Sequence, residues 1–311
     1  MNYLEEQRQK ATELRNDVFK DPGGGIFKNS EREFVLKDAH LNLWAGIRED
    51  AINYFAKYGI PFWDSGDEPT GHLLSSQIAC LNHLYFIRQR EDVATKILQA
   101  VKNNVKQALR IDNGDMDSGF VDFEVIGQKN YLGEKSHTRG ANSTSVDAMM
   151  LAEMDNGQRQ LIFIEWKYVE KYGSNSKATD KGGPTRLGIY SSFLNRPDSP
   201  LKAANIEGLF TEPYYQLMRQ TLLANEMVKA REYGATDYLH LHIIPTNNRD
   251  LKEVNTAAGK LAGNTLRETW NNILESPEKY DVIDPKDFLM PAMKCSDTLT
   301  IIKYLQQRYW S

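Results

Sequence analysis

The chain has 311 residues, enough to bury a sizeable core as one large domain or two small ones. It is 41% hydrophobic and 26% charged with a net charge of −4, the profile of an ordinary soluble globular protein rather than a strongly basic nucleic-acid binder. It has no run of eighteen apolar residues, so no membrane-spanning helix is expected, and the polar start MNYLEEQRQKATELR does not read as a signal peptide.

Two cysteines, Cys80 and Cys295, lie far apart and outside any CxxC or Cys/His cluster. Neither structural zinc nor a disulfide framework is expected, and a reducing cytoplasm is the expected location. Residues 1–20 read as a helix closed by Asp21-Pro22-Gly23-Gly24-Gly25, a strong breaker. Trp44, Ile47, Ala51, Phe55 and Tyr58 recur at helical spacing over 41–58, ended by Gly59 and Pro61. A further helix starts near Ser75 or Ser76, either of which can cap it. Val93, Ile97, Val101 and Val105 or Ala108 then predict a helix from Asp92 to Leu109, broken by Asp112-Asn113-Gly114-Asp115.

Strands are predicted over Gly119–Ile126, Thr144–Met154 and Gln160–Tyr168. A loop-like stretch from Gly173 to Gly208 precedes a helix over Pro213–Glu232, with proline in the first turn, and a fourth strand over Tyr238–Pro245. The chain divides on this reading into an N-terminal helical region (1–89), an α/β core (90–250) and a C-terminal helical extension (251–311), joined in one compact unit.

The stretch Ser145–Glu170 is the most informative. It reads as two strands and a tight turn, with Asp147 on the first strand and Glu165-Trp166-Lys167 on the second. Strand alternation puts Leu161, Phe163, Glu165 and Lys167 on one face and Ile162, Ile164, Trp166 and Tyr168 on the other. An acid and an amine thus end an otherwise apolar face, and buried charges are costly unless paired or metal-bound. For Asp147 and Glu165 to share an ion they must face each other across the hairpin. That register pairs Met154 with Gln158 and leaves a three-residue loop, Asp155-Asn156-Gly157, with Gly157 in the left-handed position. A two-residue Asn156-Gly157 turn would instead pair Asp155 with Gln158 and set Asp147 opposite Trp166.

Asp147 on one hairpin strand and Glu165-Trp166-Lys167 on the next resemble the PD-(D/E)xK signature of restriction-endonuclease-like nucleases. Val146 stands where the signature has proline, a position that carries no chemistry. The predicted order of helix, three strands, helix, strand over roughly 90–245 is also that of the nuclease core. The resemblance implies an α/β fold with a mixed sheet of four to five strands flanked by helices, and here an N-terminal helical elaboration. It implies a Mg²⁺-dependent endonuclease, with Mn²⁺ able to substitute, that acts on DNA in restriction or phage defence. The metal ligands would be Asp147, Glu165 and the Trp166 carbonyl, and Lys167 would position the attacking water and offset transition-state charge. Relatives often carry a further glutamate, for which Glu49 on the 41–58 helix and Glu134 in the loop before Thr144 are the candidates. A glutamine on the helix after the ExK strand is also expected, and Gln216 and Gln220 fit, with Arg219 directed at a phosphate.

The plain alternative is a half-buried hairpin whose Glu165 and Lys167 form an ion pair. Other functional readings are a metal-dependent RNA or nucleotide phosphoesterase and a non-catalytic nucleic-acid-binding protein on the same fold. A homodimer is an open assembly. The stretch carrying Lys171, Lys177, Lys181, Arg186 and Arg196 is either a surface that tracks a phosphate backbone or a solvated loop. His240 and His242 share a strand face but lack a third ligand, and nothing singles out His72 or His137 as a base.

Overall fold

The computed structural model describes residues 2–310 other than 113, 115, 116, 140–142, 174, 203 and 254–260. Asn113 and Asp115 of the expected helix breaker therefore lie outside the described residues. The elements in chain order begin with α1 (Tyr3–Leu14), started by an Asn2–Glu5 capping box. The small hairpin β1 (Gly25–Phe27) and β2 (Ser30–Arg32) follows. Next come α2 (Arg48–Tyr58), α3 (Ser76–Leu84, with Ser75 as N-cap) and α4 (Glu91–Val101). The strands β3 (Val105–Leu109), β4 (Asp122–Val125), β5 (Val146–Met154) and β6 (Arg159–Trp166) precede α5 (Gly183–Leu194), α6 (Ile206–Leu209) and α7 (Tyr214–Lys229). The chain then runs through β7 (Asp237–Ile243), α8 (Arg249–Lys252), α9 (Leu266–Ile273), β8 (Tyr280–Ile283), α10 (Pro285–Leu289) and α11 (Leu299–Leu305).

Six strands form one mixed sheet in the order β3-β5-β6-β7-β8, with β4 also on β5. β3 and β4 share one edge of β5 end to end. β3 pairs with Leu151–Met154, and β4 with Val146–Met149. β5 and β6 are antiparallel, whereas β7 and β8 run parallel to β6.

Three expectations are corrected. The helix expected over 92–109 stops at Val101, and Val105–Leu109 is a strand. Val101 and Val105 fit both periods, Ala108 joins them in the core only through the register shift between Val105 and Gln107, and pairing with β5 decides the second half. The stretch Gly173–Gly208 contains α5, with Pro184 in its first turn. The C-terminal extension is not purely helical, because β8 joins the sheet beside β7; with β3 it brings the sheet to six strands, against the four to five expected.

The sheet is packed on both faces, as parallel strands require. Ala148, Met150, Ile162, Ile164, Trp166 and Leu241 face one core, shared with α2, α3, α4 and the C-terminal helices. Leu151, Leu161, Phe163 and Tyr238 face the other, under α7 and α9. The first core draws on all three chain segments, for example Phe55, Ile164 and Ile302. Among the described residues no helix is long and apolar enough to cross a membrane.

Candidate active site

The hairpin sets the site. Met154 N–H donates to the Gln158 carbonyl (2.8 Å) and Gly157 N–H to that of Met154 (2.8 Å), closing the three-residue loop. Gly157 takes the left-handed φ of +80° that this loop requires. The ladder then runs without a slip from Glu153 opposite Arg159 to Ala148 opposite Ile164. One further step sets Asp147 opposite Glu165 on the same face. Asp147 Oδ2 accepts the Trp166 N–H at 2.7 Å, which fixes the carboxylate against the turn of the ExK segment.

A third acid joins them. Phe123 lies opposite Ala148 and Val125 opposite Val146, so Glu124 of β4 stands opposite Asp147. Its backbone is left-handed, with φ +50°, a conformation that costs a residue with a Cβ about 1 kcal/mol or more. Two hydrogen bonds hold the carboxylate there: Gln77 Nε2 donates to Oε1 (3.1 Å) and Ser145 Oγ to Oε2 (3.0 Å). The sequence reading missed Glu124, although FVDFEVI carries the signal that singled out Glu165, a carboxylate in an apolar strand.

Glu165 is buried, as is Lys167. Lys167 Nζ donates to Glu165 Oε1 (2.5 Å) and to Gln216 Oε1 (2.8 Å). From α7, Gln216 Nε2 donates to Glu165 Oε1 (2.7 Å), and Gln220 Nε2 donates to Glu165 Oε2 (2.5 Å) and the Ser145 carbonyl (2.8 Å). The spacing of four residues on one helix brings both amides to one carboxylate. Burial alone would depress the Lys167 ammonium, but Glu165 above all, with the Tyr172 hydroxyl and the Glu170 and Asp147 carboxyls, outweighs it and holds the group protonated, well above the ordinary lysine range. Burial, then the charges of Glu165 and Glu124, push Asp147 well above the usual carboxylate range. Glu124 is raised too, chiefly by burial and further by Glu165, against the two bonds from Gln77 and Ser145.

Glu124, Asp147, Glu165, Lys167 and Gln216 line one cavity of about 630 Å³. Its floor is the hairpin end, and its roof is the 61–77 segment at the start of α3. Among the described residues no three His, Cys, Asp or Glu side chains already surround a common point in ligating geometry. Glu165 is engaged by Lys167 and Gln216 at Oε1 and by Gln220 at Oε2, which leaves Oε2 with capacity for one more partner. The donor chemistry fits a hard divalent ion: three carboxylates and one ammonium line the same cavity, and two of the acids are held above their normal range, chiefly by burial and further by the neighbouring carboxylates.

The remaining sequence candidates lie elsewhere. Glu49 is exposed on α2 and outside the cavity. Glu134 accepts from Thr144 N–H (2.6 Å), Thr144 Oγ1 (2.5 Å) and the Tyr190 hydroxyl, and so anchors the loop before β5. Neither lines the cavity, whereas Glu124 does. Arg219 packs over the Tyr215 ring (4.7 Å) beside Glu134 and does not reach the cavity. In the basic stretch, Lys171 pairs with Asp250, Arg186 with Asp180 and Arg196 with Glu226, so much of its charge is neutralised. His240 and His242 are buried and neutral, depressed by burial, with His240 lowered to about 3. His242 sits beside Glu165 in the parallel β6/β7 register and shares a 3.0 Å bond with the Tyr280 hydroxyl.

Comparison with known families gives a match over nearly the whole chain. The family model described as Restriction Endonuclease associating with ARP covers residues 8–310. No curated protein and no solved structure matches the chain.

Proposed function

We propose a function from one premise: the chain belongs to the family Restriction Endonuclease associating with ARP. Membership implies a nuclease-type protein with DNA as its substrate. Our reading is a divalent-metal-dependent endonuclease that hydrolyses DNA phosphodiester bonds, of the restriction or phage-defence type and acting in the cytoplasm.

The observation that carries the reading is the single cavity into which Asp147, Glu165, Glu124 and Lys167 project. Asp147 and Glu124, with Glu165, are the residues that would hold Mg²⁺ or Mn²⁺, helped by the Trp166 backbone carbonyl. When bound, the ion supplies Lewis-acid polarisation of the phosphate and lowers the pKa of a coordinated water. Lys167 serves as a fixed cation and proton donor rather than a general base, because its neighbours hold it protonated. Its ammonium orients the attacking oxygen and offsets the charge that builds on the phosphate. Gln216 and Gln220 touch no reacting atom in this scheme; they set the angle of Glu165 and share its charge.

The test is incubation of the protein with plasmid, single-stranded DNA and RNA, in Mg²⁺ and in EDTA. Mg²⁺-dependent cleavage of DNA that disappears in Asp147→Asn and Lys167→Ala supports the reading. Cleavage of RNA alone favours the phosphoesterase alternative, and binding without cleavage favours the non-catalytic one. Light scattering of the purified protein reads the homodimer.

A further inference from the structure

Beside the carboxylates, the cavity has a second kind of wall. Trp63, Phe27, Phe34 and His72 form an aromatic cluster, with Trp63 to His72 at 5.4 Å edge-on, Phe27 to Trp63 at 5.7 Å and Phe27 to His72 at 4.6 Å. Trp63 and His72 line the same cavity as Asp147, Glu165 and Lys167. Trp63 keeps 46% of its surface exposed, so the indole is open to a partner.

The position is rigid because its neighbours are fixed. Phe62 is buried and stacks on Phe55 at 4.4 Å, and its backbone closes a tight turn onto Gly66. Trp63 N–H donates to Gln77 Oε1 at 2.9 Å, while the same Gln77 amide donates to Glu124 Oε1. One side chain therefore ties the Trp63 backbone to the acid cluster. The cluster is edged by positive charge, with Lys28 over the Phe27 ring (5.2 Å) and Arg8 over Phe34 (5.3 Å). His72 itself is neutral at working pH, pushed down to about 4 by burial and then by Arg8.

We infer that Trp63, supported by Phe27 and His72, is a stacking platform for an unpaired nucleobase next to the scissile phosphate. The inference rests on the nuclease reading and sharpens its substrate class to single-stranded or locally unpaired DNA. In an intact duplex both faces of each base are covered by its neighbours, so a flat exposed indole has nothing to stack on; a splayed base offers a free face. Charge points the same way. The protein carries −4 overall and much of its basic stretch is ion-paired, so backbone contacts alone give a weak grip. Stacking supplies affinity that does not depend on phosphate neutralisation.

The test measures binding of the full-length protein in EDTA, where cleavage is absent, to single-stranded, bubble-containing and fully paired oligonucleotides carrying 2-aminopurine. Wild type should prefer the single strand and the bubble and quench the 2-aminopurine. Trp63→Ala should lose about tenfold or more on those two substrates. Trp63→Phe should retain most of the binding, and all variants should melt with wild type because Trp63 is half-exposed. Unchanged binding by Trp63→Ala overturns the inference, as does an equal or stronger preference for paired DNA. Cleavage in Mg²⁺ is read separately: cleavage with no effect of Trp63 sinks the platform alone, whereas stacking without cleavage of any substrate sinks the nuclease reading alone.

Discussion

Glu124 stands opposite Asp147 across the β4/β5 ladder although its own backbone is left-handed. A strand residue rarely accepts that conformation without glycine, and here no local sequence feature demands it. Gln77 and Ser145 hold the carboxylate in place, so side-chain bonding near the cavity offsets a backbone cost. The strain is spent on bringing a third negative charge to a place that already has two.

Burial, together with that crowding, has a pH signature. Asp147 and Glu124 titrate above their unfolded values, so their contribution to stability is present at low pH and is lost as pH rises through the raised folded values. This is the reverse of the usual carboxylate case. In EDTA, Asp147→Asn should therefore gain on the order of 1 kcal/mol at neutral pH, a rise of a few degrees in melting temperature, and the gain should vanish in acid. Thermal melts across pH 4–8 read it. A variant less stable than wild type at neutral pH would show that the repulsion is already relieved.

Divalent ions should do to wild type what Asp147→Asn does by charge removal. Binding to the native state alone at 100 times Kd stabilises by about 2.7 kcal/mol. Mg²⁺ or Mn²⁺ should raise the melting temperature, and both Asp147→Asn and Glu124→Gln should shrink the rise. A full shift in Asp147→Asn places the ion elsewhere in the molecule.

Lys167 is buried against Glu165, and this changes what its removal does. The sequence alone suggests that Lys167→Ala leaves the fold nearly intact. Burial predicts a loss of about 3–5 kcal/mol, because Glu165 is left charged without its partner beside two further acids. Lys167→Met should behave similarly, and adding Glu165→Gln should recover most of the loss while both variants stay inactive. Urea unfolding of the singles and the double measures the coupling; additive costs would show that the ion pair is energetically unimportant.

The parts of the fold that were legible in the sequence are those where one constraint had a single solution. The hairpin register followed from the need to face Asp147 toward Glu165 and from Gly157, and the observed ladder has it. Gln216 and Gln220 stood out as amides on the helix after the ExK strand. What was not legible depended on distant partners. Val105–Leu109 becomes a strand because β5 offers it an edge, and Tyr280–Ile283 is only four residues whose partner lies in β7. Glu124 was hidden differently: its residue type was visible, but the left-handed turn that aims it at the cavity is not written in a glycine.

Gln220 separates positioning from chemistry. It is buried, and its amide bonds both Glu165 Oε2 and the Ser145 carbonyl, so it ties the ExK acid to the strand that carries Asp147. Gln220→Ala leaves two acceptors without a donor, each worth about 1–3 kcal/mol in a buried setting. Glu165 then swings with only Gln216 and Lys167 to hold it. Outer partners of metal-site ligands typically account for about 10–100-fold in activity. Steady-state cleavage by Gln220→Ala should thus show kcat down by roughly that factor with KM nearly unchanged, because no substrate contact is lost. The deficit should also narrow at high Mg²⁺, where occupancy compensates for a loosened ligand. A rise in KM with kcat intact would instead make Gln220 a substrate contact, and an unchanged kcat would remove it from the site.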